Sequence, residues 1–142
     1  MRQRSRSVAL LTLLLGGSVG IAGSVAASEP NGRRLFVSMN TAGKIAMLDT
    51  SDPRRPRLLS VLDLGADSGP HYIALTRDEK RLVITDYFLN EDDAGKVHAE
   101  GDHKVHVAAV SENDLVLDPR FQLDFNTVIA TGPARPHGVA FK

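Results

Sequence analysis

Two histidines occupy matching places in a repeated pattern of the sequence. His71 follows Pro70 and opens a short apolar run, and His137 follows Pro136 in the same way. A proline directly before a strand fixes the backbone at its entrance, because its ring locks one dihedral angle and removes a donor. If the strands were repeated around a common axis, the two imidazoles would point to one place. Since imidazole is a ligand for copper and zinc, the pattern predicts a metal or substrate site.

The small number of ligands in this pair leaves a structural interpretation open. Three or more ligands normally hold such a metal ion, and the pattern supplies two, so each histidine could instead cap its strand by hydrogen bonding to a neighbour. Asp86 ends a predicted strand and is the candidate acceptor that would orient one of the two imidazoles. A carboxylate that caps a turn is the alternative for Asp86. No catalytic residue is assigned.

The other three histidines are weaker candidates for metal ligands. His106 stands two positions after Lys104 and therefore shares its face of a predicted strand, where we expect it to be exposed. His103 and His106 are three positions apart and so point to opposite faces, which makes them poor joint ligands. His98 lies within an oxygen-rich insertion, residues 89–101.

This insertion and its flanks are a candidate calcium site, because calcium takes six to eight oxygen ligands. The spacing of the donors fits no EF-hand loop, and a solvated acidic loop is the alternative. The polar side chains of the set are Asn90, Glu91, Asp92, Asp93, His98, Glu100, Asp102 and His103.

The fold class predicted from the chain is all-β, with propeller-type blades. No useful window has helical periodicity, whereas short apolar runs alternate with turn residues. The runs at 34–38, 44–47 and 60–64 recur at 81–85, 104–107 and 121–125, and residues 71–76 precede the second set. A unit of about 45 residues with four strands is typical of a β-propeller blade. We therefore predict a partial propeller of about two blades, the first without its opening strand, plus the first strand of a third at 137–141.

The N-terminal segment is predicted to be a signal peptide, residues 1–27, ahead of a partial propeller domain, residues 28–142. It begins with Arg2, Arg4 and Arg6, continues with an apolar run at 8–15, and ends in small residues around Ala26 and Ala27. The alternative is a retained anchor, since residues 8–27 are nearly long enough to span a bilayer. Cleavage would leave no stable membrane span and a periplasmic or secreted protein.

Charge and cysteine content exclude several functional classes. The chain has 17 Lys and Arg against 17 Asp and Glu, and three of the arginines belong to the predicted signal peptide. The remainder is acidic, which argues against a nucleic-acid partner. With no cysteine, the chain has neither disulfides nor a thiolate nucleophile, and an exported protein of this kind suits a Gram-negative periplasm.

An ordered set of motifs resembles the C-terminal part of the selenium-binding protein/methanethiol oxidase family. The resemblance runs from about Asn31 to Lys142 and would cover the last quarter to third of a full-length member. Its motifs are residues 32–38, the loop at 49–56, Leu117-Asp118-Pro119-Arg120-Phe121, Asp124-Phe125 and Arg135-Pro136-His137.

The resemblance implies a seven-bladed propeller with His137 near a metal in the central channel and His71 at a corresponding blade entrance. It also implies copper-dependent oxidation of a small thiol, methanethiol, with O2 to formaldehyde, hydrogen sulfide and hydrogen peroxide. The cysteine associated with selenium binding in that family has no equivalent here. Two blades leave unpaired edges, so we expect missing N-terminal blades or a homo-oligomer. A non-catalytic propeller module for binding or scaffolding is the alternative function.

Overall fold

The computed structural model describes residues 26–28, 31–121, 123–132 and 134–141, and they form antiparallel β-sheets. The predicted all-β class is confirmed. Among the described residues, no helix has the length and apolar character needed to cross a membrane. The predicted signal peptide lies outside the described residues except for Ala26 and Ala27.

The first sheet is a meander of four strands in sequential order. It consists of β1 (Ala26–Ser28), β2 (Arg34–Met39), β3 (Lys44–Asp49) and β4 (Arg57–Asp63). The prediction that the first repeat lacks its opening strand was wrong, because β1 pairs with β2 and places Ala26 opposite Val37. Three small residues have too little apolar pattern to be recognised as a strand from sequence. The predicted cleavage positions, Ala26 and Ala27, fall within this strand.

The second sheet repeats the same order and carries an inserted hairpin. Its strands are β5 (Pro70–Leu75), β6 (Arg81–Asp86), β9 (Lys104–Val110), β10 (Leu115–Leu117) and β11 (Leu123–Asp124), and the hairpin is β7 (Phe88–Glu91) with β8 (Val97–Glu100). Both β10 and β11 pair with β9, one along each half. The predicted insertion is therefore a hairpin between the two central strands of the sheet.

Two predicted strands near the C-terminus were wrong. Residues 121–125 were expected to form the whole outer strand, but among the described residues of this range only Leu123 and Asp124 are in a strand, and β10 supplies the rest. Pro119 separates the two pieces, and a proline cannot donate to a sheet. Residues 137–141 form no strand and pair with none of the described strands.

The hydrophobic core lies between the two sheets. Alternate residues of each strand point to the facing sheet, as strand geometry requires. The first sheet contributes Phe36, Ile45, Met47 and Leu62, and the second contributes Ile73, Leu82, Ile84, Ala108 and Leu115. Asn40 and Ser38, which are also buried, extend this face of β2 to the end where β5 begins. Ser38 and Asn40 make polar contacts with the second sheet beside His71.

Gly43 is required by the close approach of two loops of the first sheet. Its φ is 62°, and a Cβ on this residue would lie 1.8 Å from the carbonyl oxygen of Gly65. We expect Gly43→Ala to reduce the free energy of unfolding by at least about 2 kcal/mol, measured by urea denaturation. Gly32→Ala is the matched control, because Gly32 has a φ of 71° and open space at the Cβ position. Equal losses in the two variants would contradict the role of the contact with Gly65.

Candidate functional site

The two histidines singled out in the sequence lie side by side. The ring centroids of His71 and His137 are 5.2 Å apart, and the ring planes differ by 13°. Tyr87 lies 4.5 Å from His137 and 5.8 Å from His71, again between centroids. Tyr72 packs edge-on against both imidazoles. We call these four residues the imidazole–tyrosine cluster.

Three separate segments place the members of this cluster. His71 and Tyr72 belong to β5, where the pairing with β6 shifts register between Pro70 and Tyr72. Tyr87 directly follows β6, and its amide donates to the carbonyl of Gly69 at 3.0 Å. His137 follows the buried Pro136, and a Cβ at Gly138 would lie 3.7 Å from the Tyr72 ring. The C-terminal segment therefore crosses the entrance of β5.

The first sheet holds this entrance through two buried side chains. The Asn40 side-chain amide donates to the carbonyls of Gly69 at 3.0 Å, Pro70 at 3.3 Å and Tyr87 at 3.3 Å. The Ser38 hydroxyl donates to the carbonyl of His71 at 3.2 Å. Asn40 is not among the site residues predicted from the sequence. The signal that could have identified it is its alternation with Phe36 and Ser38, which places all three on the core face of the sheet.

The environment of His71 favours a neutral imidazole. Burial lowers the pKa of His71, and the nearby His137 lowers it further. His71 is half-buried, whereas His137 is exposed. A neutral imidazole keeps a free nitrogen lone pair, which is the form that binds a metal ion.

Asp86 contacts a different histidine from the two that it was predicted to orient. Its Oδ2 is hydrogen-bonded to Nε2 of His106 at 2.7 Å, and Oδ2 of Asp102 lies 3.9 Å from the same nitrogen. One ligand atom from each of these three residues lies within 4.8 Å of the others. We call Asp86, Asp102 and His106 the carboxylate–imidazole cluster. Within the described part of the chain it is the one such group of three or more His, Cys, Asp or Glu donors.

The expectation that His106 is exposed was wrong. Its side chain is 14% exposed, because His106 pairs with Ile84 and shares the face of β9 that carries the buried Ala108. This face points to the first sheet. Asp86 follows Leu82 and Ile84 at alternate positions of β6, so the same rule places its carboxyl group inward.

The pKa values of the two carboxyl groups are shifted in opposite directions. Burial raises the pKa of Asp86 to about 7, although the hydrogen bond with His106 opposes the shift. Burial acts in the same direction on Asp102, but hydrogen bonds with Asp86 and Lys104 outweigh it and lower the pKa of Asp102. Lys104 Nζ lies 2.9 Å from Asp102 Oδ2. Asp86 is therefore the member of the pair that retains a proton near neutral pH.

The remaining sequence candidates lie apart from both clusters. His98 pairs with Asp92 at 2.8 Å in an exposed contact of the β7–β8 hairpin. His103 is bonded through Nδ1 to Asn126 at 3.0 Å and has a φ of 56°. Among the described residues, Asp102 is the one member of the predicted calcium set that joins a group of potential metal ligands.

A polar groove of about 540 Å³ is formed by residues from both sheets and holds no histidine. Its charged residues have both signs, and two of them, Arg57 and Asp49, form an ion pair at 2.6 Å. Charges that neutralise one another give no preference for an anionic or cationic ligand. We therefore place the candidate site at the two clusters rather than in this groove.

The fold and the clusters define a class: an antiparallel all-β protein with an imidazole-rich site at the entrance of one strand. No protein-family model and no curated protein matches the sequence. Two solved structures are similar in fold. One is a hypothetical selenium-binding protein from Sulfolobus tokodaii, with a TM-score of 0.62, 20% identity and 80% of this chain covered.

The other structure is that of a candidate 6-phosphogluconolactonase from Bacteroides uniformis, with a TM-score of 0.54, 19% identity and 75% of this chain covered. The chain spans 27% of the length of each of these proteins. At such identities the similarity shows the fold alone.

Proposed function

We propose that this chain is a propeller-type segment of an exported copper protein in which His71 and His137 bind the metal. The main observation behind this proposal is that two imidazoles from distant parts of the sequence have ring centroids 5.2 Å apart. The repeated Pro-His pattern and the resemblance to the selenium-binding protein/methanethiol oxidase family support the same proposal. The localisation rests on the N-terminal sequence, with its arginines, apolar run and small residues.

The imidazole nitrogens of the imidazole–tyrosine cluster are suitable ligands for copper. A given nitrogen site binds copper more tightly than it binds the other divalent first-row metals. The lowered pKa of His71 keeps its lone pair available for the metal. Two imidazoles do not complete a coordination shell. No Asp, Glu, Cys or third His joins them within the described residues. We propose that a tyrosine phenol of the cluster, another blade or a second copy of the chain supplies the rest.

The proposed activity is oxidation of a small thiol. Bound copper would supply the redox chemistry, in which methanethiol, O2 and water give formaldehyde, hydrogen sulfide and hydrogen peroxide. The residues of this chain would hold the metal and surround it with the Tyr72 and Tyr87 rings, which limit the access of water. A complete site needs more of the ring than this chain contains, so we propose additional blades or a homo-oligomer as the active form.

A binding or scaffold module without catalysis is the second candidate function. The observation that favours it is the exposure of His137. In that case the imidazole–tyrosine cluster would be a recognition surface. The molecular mass in solution and thiol-dependent peroxide production separate the two candidates, since the oxidase requires both an assembled ring and peroxide.

Copper titration of the full chain tests the proposed site. We expect His71→Ala and His137→Ala each to lower copper affinity at least about tenfold, because each removes one of two imidazole ligands. His98→Ala is the matched control, since His98 is also a histidine with an exposed surface but lies in the β7–β8 hairpin. Copper affinity that is unchanged in both variants, or a wild-type protein that takes up no copper, would leave only the binding module.

A further inference from the structure

The carboxylate–imidazole cluster is separate from the proposed copper ligands. Asp86 ends β6, His106 lies on the neighbouring strand β9, and Asp102 stands just before that strand. The antiparallel pairing that sets Ile84 opposite His106 brings the end of β6 beside the beginning of β9. Backbone hydrogen bonds of the sheet therefore bring Asp86 and His106 together, and Asp102 lies at the same point from just before β9.

Within the described residues, one buried acceptor atom of the cluster has no hydrogen-bond partner. Asp86 has no exposed side-chain surface, and within the part of the chain that the structure describes its Oδ1 accepts no hydrogen bond. A buried polar atom without a partner costs free energy, and native structures rarely leave one unexplained. The second carboxyl group, Asp102, is close by, and the one lysine at this cluster, Lys104, is bonded to Asp102 rather than to Asp86.

We propose that Asp86, Asp102 and His106 form a binding site for a divalent transition-metal ion of the Zn²⁺ type. One oxygen of each carboxylate and one imidazole nitrogen give three protein ligands, the number found in zinc sites that keep a fourth position open. An ion would neutralise the two neighbouring carboxylates and give the buried Asp86 a partner.

The donor set favours zinc over calcium. Calcium takes six to eight oxygen ligands, whereas this cluster offers three donors, one of them a nitrogen. Imidazole with carboxylate is a common ligand set for zinc. The oxygen-rich hairpin next to the cluster contributes no member to it among the described residues.

Calorimetric titration of the full chain with Zn²⁺, after chelation, tests this proposal. The His71→Ala/His137→Ala double variant serves as the parent, so that the proposed copper site contributes nothing. We expect this parent to bind one Zn²⁺, and Asp86→Asn to lower the affinity at least about tenfold. Asn keeps the size of the side chain and removes a buried charge, so the variant is expected to fold.

Two further variants keep the test decisive. His106→Gln should reduce zinc affinity to a similar extent, and it gives a second measurement if Asp86→Asn fails to fold. Asp92→Asn is the matched control, because Asp92 pairs with His98 at 2.8 Å on the surface. A parent that binds no zinc, or affinity lowered as much by Asp92→Asn as by Asp86→Asn, would overturn the proposal. Neither result would bear on copper binding by His71 and His137.

Discussion

Asn40→Asp is expected to lower the free energy of unfolding by about 3–5 kcal/mol at neutral pH, because it leaves an uncompensated charge in the core. Asn40 is 6% exposed, and its side-chain amide donates to three carbonyl oxygens. Aspartate has nearly the same shape but no N–H group at this position. Its carboxylate would instead face the oxygens of Gly69, Pro70 and Tyr87. Urea denaturation of the wild type and the variant measures the loss.

The same substitution should disturb the candidate sites. Two of the three carbonyls belong to residues directly before His71, and the third belongs to Tyr87, next to Asp86. Loss of these bonds releases the entrance of β5 from the first sheet, so the imidazoles and Tyr87 are no longer held together. We therefore expect copper affinity to fall along with stability in Asn40→Asp.

Two comparisons separate the charge from the lost hydrogen bonds. Asn40→Ala removes the donor without adding charge, and we expect a smaller loss of about 1–3 kcal/mol. Lowering the pH should also reduce the loss of unfolding free energy in Asn40→Asp, since protonation neutralises the buried carboxylate. Asn113→Asp is the surface control, expected within about 0.5 kcal/mol of the wild type. Similar losses at positions 40 and 113 would show that the amide of Asn40 does not join the sheets.

Strand positions were predictable where alternation and turn residues coincide. β3 spans the predicted residues 44–49, between the turn that ends at Gly43 and the loop that contains Pro53 and Pro56. The pattern failed where pairing partners decide the outcome. β1 is a strand because it pairs with β2, whereas residues 137–141 pair with none of the described strands. Register and edge availability are properties of the sheet rather than of a local sequence.

The candidate site was predictable to the extent that it follows the repeat. The matching Pro-His pairs indicated that His71 and His137 could approach each other, and their rings do lie together. Whether they bind a metal stays a prediction. The pairing of Asp86 with His106 depends on which residues of β6 and β9 lie opposite one another. Because a hairpin is inserted between these two strands, their register could not be read from the sequence repeat. The buried faces of β6 and β9, once aligned, would have revealed it.

The metal-free protein is expected to lose stability through Asp86 as the pH rises from about 4 to about 7. Burial raises the pKa of this carboxyl group from 3.8 to about 7, so in that interval the folded chain keeps a proton that the unfolded chain releases. Unfolding is therefore favoured by increasing pH, and the contribution reaches about 4 kcal/mol at full ionisation. His106, Asp102 and Lys104 surround the group, and Asp86→Asn removes the titration while leaving them in place.

Urea denaturation across this pH range, with a chelator present, should show Asp86→Asn becoming more stable than the wild type as the pH rises. The two proteins should converge below about pH 4, where Asp86 becomes protonated in both the folded and the unfolded state. Asp92→Asn should show a small difference of opposite sign, because a hydrogen bond with His98 lowers the pKa of Asp92. Ionised Asp92 therefore stabilises the fold above the ordinary pKa of a carboxyl group. Parallel profiles of the wild type and Asp86→Asn would mean that Asp86 ionises as readily in the folded chain as in the unfolded one.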